Sequence, residues 1–84
     1  MEASFTTLAM SVASAAAMSL GLTPNPQTGK TEKNLSLARF NIDMLNVLKE
    51  KTKGNLLKEE NEFLTHVLTD LQLRFVEAEK NEKN

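Results

Sequence analysis

The side chains most able to do chemistry in this 84-residue chain are a single histidine and its acidic neighbours. Glu62, His66 and Asp70 recur every four residues, a spacing that could offer carboxylate, imidazole and carboxylate to one metal ion. Successive members drift by about 40° around a helix, and a metal site needs further ligands converging from a second element. The sequence signals none, and with no cysteine there is no thiolate ligand and no thiol redox chemistry. An exposed face is the expected reading. The same His66–Asp70 pair lacks a nucleophile elbow that would make it a triad. Glu59 and Glu60 stand where a helix begins, and acids there complement the helix dipole better than they serve as an acid–base pair. Gly29-Lys30-Thr31 invites a phosphate-loop reading. That motif needs glycine five positions earlier, where this chain has Pro24, and a strand before it. A turn is expected instead. Lys49, Lys51, Lys53 and Lys58 could touch phosphate, but no aromatic platforms accompany them. No catalytic residue, metal site or cofactor is expected, and the chain is not read as an enzyme.

The elements that must position these residues are helices. Ala, Leu, Met, Glu and Lys dominate, aromatics are few, and Trp and Tyr are absent. Length allows one domain, residues 1–79, with a marginal core and a polar, frayed tail at 80–84. The first helix is expected over about 4–20. Phe5, Leu8, Ala9, Val12, Ala13, Ala16 and Leu20 share one side. Thr7, Met10, Ser11, Ser14 and Met18 share the other, which is uncharged and therefore unusual for a solvent-facing surface. No basic residue precedes this segment and Ser and Thr interrupt it, which argues against a signal peptide or a membrane span. Gly21 is the expected stop, and a loop over 21–33 with Pro24-Asn25-Pro26 should hold consecutive turns.

The second helix, about 35–53, carries a narrow polar strip of Ser36, Arg39, Asp43, Asn46 and Glu50. Leu35, Leu37, Ala38, Phe40, Ile42, Met44, Leu45, Val47 and Leu48 form an apolar arc wide enough to need neighbours on more than one side. Gly54 ends it, and Asn55 is the expected cap of the third helix, about 57–79. That helix buries Phe63, Leu64, Val67, Leu68, Leu71, Phe75 and Ala78 and leaves Leu73 and Val76 on the other side. The short link makes the second and third helices an antiparallel hairpin, with the first packed across it. Residues 30–58 hold seven basic against three acidic side chains and residues 59–84 three against seven. These blocks attract each other, and the net charge of −1 does not resemble a nucleic-acid module.

Several runs carry a resemblance: Gly21-Leu22 with Pro24, Pro26 and Gly29-Lys30-Thr31, then Ala38 with Ile42-Asp43-Met44-Leu45. Leu48 through Asn55 and Leu68 through Glu77 complete it. The chain resembles the bacterial domain-of-unknown-function family 1844, from roughly Phe5 to Ala78. Leu57-Lys58 departs from the Thr-Pro that the family tends to place before the paired glutamates. The resemblance implies an architecture and supplies no activity, cofactor or catalytic residue.

A core this small invites completion by a second subunit. The expected role is a non-enzymatic structural or interaction protein in the cytoplasm that forms a homo-oligomer, a dimer by preference. Its contact would be Met10, Ser11, Ser14 and Met18, with Leu73 and Val76 as a second patch. An unidentified larger protein is the alternative partner; a membrane-peripheral or nucleic-acid role comes after it, and neither nucleic-acid binding nor integral membrane insertion is expected.

Overall fold

The structure, a computed structural model, describes residues 2–83, with side chains through Asn81. Three helices follow in order: α1 (Phe5–Ser19), α2 (Leu35–Lys51) and α3 (Lys58–Lys83). Each start and stop has a local cause. Ser4 Oγ accepts the Thr7 N–H at 3.0 Å and caps α1. At the far end Gly21 N–H donates to Met18 O and Leu22 N–H to Ala17 O, both at 3.0 Å. This is the glycine-terminated Schellman arrangement, and Gly21 adopts the φ of 79° that it requires.

The loop that follows is closed by its own hydrogen bonds. Asn25 Oδ1 accepts the Gln27 N–H at 2.8 Å. Its carbonyl accepts from Thr28 and Gly29, and its N–H donates to Lys30 O at 2.9 Å. Its ends are pinned together where Leu20 pairs with Lys33 as an isolated antiparallel bridge and Asn34 N–H reaches Ser19 O at 2.7 Å. α1 is thereby folded back onto α2 by the connection itself.

Asn34 Oδ1 caps α2, accepting the Leu37 N–H at 3.1 Å. α2 stops at Lys51, before the expected 53, where the Lys53 N–H turns to Glu50 O at 3.4 Å; Thr52 also folds its hydroxyl onto Leu48 O at 2.6 Å. A turn over Thr52–Asn55 then uses Gly54 at a φ of 84°. Asn55 is spent in this turn and does not cap α3. The cap position falls to Leu57, whose carbonyl accepts from Asn61 and whose N–H donates to Glu60 Oε1 at 2.9 Å. Glu60 thus plays the back-reaching half of a capping box. α3 continues as helix through Lys83, past the expected end at 79, so the tail is helical over 80–83; Asn84 lies outside the described residues.

α1 packs on both other helices. The first half of α2 lies beside the second half of α3, where Arg39, Ile42 and Asp43 share a groove with Gln72, Phe75 and Val76. The end of α2 lies beside the start of α3, where Asn46 and Lys49 face Leu56 and Asn61. The pair is therefore antiparallel, as expected. The core is Ala9, Ala16 and Leu20 from α1 and its end, Ala38, Ile42 and Leu45 from α2, and Leu64, Leu68, Leu71 and Ala78 from α3. Alanines at the crossing points allow the backbones of α1 and α2 to come close. α3 is about 39 Å long at 1.5 Å per residue, and it sets the 41 Å long axis of a molecule only 16 Å thick.

Candidate functional site

The residues suited to chemistry are not gathered. Glu62, His66 and Asp70 are all exposed, and Asp70 is paired with Arg74, whose Nε stands 3.0 Å from Oδ2. Among the described residues no three His, Asp or Glu side chains come together in a way that could hold a metal ion. Gly29-Lys30-Thr31 lies in the exposed turn described above, separated from the start of α2 by Glu32, Lys33 and Asn34. Arg39 and Asp43 form the expected i,i+4 pair at 3.8 Å on the solvent side of α2. Ser19 is the one buried polar residue among those described; it donates to Ala15 O at 2.8 Å and accepts from Asn41 Nδ2 at 3.4 Å.

Lys49, Lys53 and Lys58 do converge. They rim an open depression of about 650 Å³ at the corner where α2 ends and α3 begins, shared with Glu50, Gly54 and Asn61. Lys53, Gly54, Lys58 and Asn61 are exposed and Lys49 is half-buried, so water competes for most of the contacts such a depression could offer an anion.

The apolar surface is more informative. Met10, Ser11 and Ser14 are exposed along α1 and Met18 is half-buried. Leu73 is 62% exposed and Val76 48%; Val76 lines the shallow groove with Phe75 and Ile42. Leu8, expected in the core, is half exposed because it lies at the edge of the packed face of α1. The larger surprise is on α2. Leu37, Phe40, Met44 and Val47 are 47%, 57%, 42% and 52% exposed. Their spacing of three, four and three places them in one stripe along the helix. The width of the apolar arc was the signal in the sequence, but periodicity alone could not say which part of that arc the neighbours would cover.

Comparison with known proteins places this architecture. A family model described as a domain of unknown function, DUF1844, matches residues 2–77. The chain belongs to that family. The match takes in all of α1 and α2 and most of α3, so the stripe on α2 and the patches on α1 and α3 are all surfaces of the DUF1844 domain. Neither a curated protein nor a solved structure matches the chain. Among the described residues, no helix of this DUF1844 protein is long and apolar enough to cross a membrane.

Proposed function

We propose that this DUF1844 protein is a non-enzymatic interaction module that works by self-association. The observation that carries this reading is the distribution of large apolar side chains. Leu8 and Met10 on α1, Leu37, Phe40, Met44 and Val47 on α2, and Leu73 and Val76 on α3 are each roughly half exposed or more. Scattered singly such residues need no explanation; aligned along a helix they mark a surface that another molecule covers. The uncharged α1 set Met10, Ser11, Ser14 and Met18 and the α3 pair Leu73 and Val76 are two candidate contacts. The absence of a charge on the α1 face would spare a partner the cost of desolvating one.

Sedimentation velocity across a wide concentration range tests this. The expected species has twice the 9.3 kDa mass of one chain. A chain that stays monomeric at every concentration refutes self-association and leaves the accessory-subunit reading, in which a larger protein takes the same surface.

A further inference from the structure

Three lysines meet at the corner between α2 and α3, and local structure accounts for only one of them. Lys49 lies in the last turn of α2, where the helix dipole favours a cation. Lys53 follows the end of that helix, in the turn that Gly54 makes with its φ of 84°. Lys58 is the first residue of α3, at the positive end of its dipole, where a cation is disfavoured.

The chain neutralises none of the three. Among the described residues the ion pairs are Arg39–Asp43 and Arg74–Asp70. Lys58 does not pair with Glu62, although the i,i+4 spacing on α3 would allow it. The Glu60 carboxylate is turned back to the Leu57 N–H. The lysines instead line one depression of about 650 Å³, a size that suits a small molecule. Its lining sets three ammonium groups and the amides of Asn46 and Asn61 against a single carboxylate, that of Glu50. The Thr52 hydroxyl is already spent on Leu48 O. At Gly54 the rim is open, since a Cβ there would meet nothing within 4 Å.

We propose that this depression binds a small anion of two or more charges, of the phosphate-ester or diphosphate kind, between Lys49, Lys53 and Lys58. The number of charges follows from exposure. One exposed ion pair contributes little against water and salt, so an anion must engage several ammonium groups together to stay. A phosphate group has the acceptor oxygens to do so. The size follows from the acids around the corner. Glu59 and Glu62 are exposed on the first turns of α3, so a polyanion running past the depression would meet carboxylates. That favours a compact ligand over a nucleic-acid backbone, which calls for a continuous basic track. The site does not depend on self-association.

Inorganic pyrophosphate, titrated into the isotope-labelled full chain at constant ionic strength and read by amide chemical shifts, tests the proposal. The shifts should saturate and centre on residues 49–61, with inorganic phosphate binding more weakly than pyrophosphate. Lys49→Gln and Lys58→Gln should each weaken pyrophosphate binding roughly fivefold. Glu50→Gln should tighten it, a change of sign that damage to the fold does not produce. Lys30→Gln with Lys33→Gln, two exposed lysines at the other end of α2, should leave the affinity unaltered. Circular dichroism checks that every variant keeps its helices. Shifts that stay linear in concentration, or that spread over all the lysines, overturn the proposal. So does a K49Q/K58Q chain that binds as the wild type does. A short single-stranded DNA that binds through the same lysines more tightly than pyrophosphate overturns the compact ligand in favour of nucleic acid.

Discussion

Leu45→Ala and Phe40→Ala, five residues apart on α2, should differ sharply in cost, and the difference depends on concentration. Leu45 is fully buried among the three helices. Truncating it removes transfer energy and leaves a cavity, together about 2.7–5 kcal/mol. A domain of this length has about 4–13 kcal/mol in total, so the variant should stand near the edge of folding. Phe40 is 57% exposed. Full burial of such a side chain contributes about 1.5–3 kcal/mol, so the part shielded within one chain contributes about 1 kcal/mol. Urea unfolding followed by circular dichroism at a concentration where the chain is monomeric should show this ordering. With a slope near 1 kcal/mol per molar urea, the midpoint should fall by roughly 3–5 M for Leu45→Ala and by about 1 M for Phe40→Ala. At high concentration the Phe40→Ala deficit should grow, because the wild type is then stabilised by its partner. Equal deficits for the two variants in the monomer would refute the placement of α1 and α3 on one side of α2.

The turns and caps give further tests by the same unfolding assay. Gly21→Ala should cost about 1–2 kcal/mol, because φ of 79° is strained for any side chain even though a Cβ there would meet nothing closer than 3.7 Å. A neutral result would mean α1 does not end in the left-handed turn. Ser4→Ala and Asn34→Ala should each cost about 1 kcal/mol and add in the double variant, since each caps a different helix. Ser19→Ala should cost about 1 kcal/mol through the loss of its bonds to Ala15 and Asn41; the same loss in an Asn41→Ala background should be smaller. Asp43→Asn, which breaks an exposed i,i+4 pair, should shift stability by less than about 0.5 kcal/mol, and a larger effect would argue that Asp43 meets more than Arg39.

Helix existence, rough length and the choice of most core residues were local properties, and the sequence by itself determined them. Period 3.6 placed Leu64, Leu68, Leu71 and Ala78 on one side of α3, and Gly21 marked the end of α1 because few other residues tolerate its φ. The finer boundaries depended on competition between neighbouring groups. α2 ended early where the Lys53 N–H turned to Glu50 O, and at α3 Glu60 reached back to the Leu57 N–H while Asn55 lay too far back to serve as the cap. Glu62, His66 and Asp70 were legible as neighbours on one helix, and the structure leaves all three exposed. What only the tertiary structure decided was the use of the α2 arc. Leu37 and Leu45 are the same residue on the same helix, and nothing local distinguishes them. Burial is set by where α1 and α3 dock. The pinned 20–33 connection and the short turn at Gly54 bring both helices to the side that holds Ala38, Ile42 and Leu45. Leu37, Phe40, Met44 and Val47 are left uncovered by the chain that carries them.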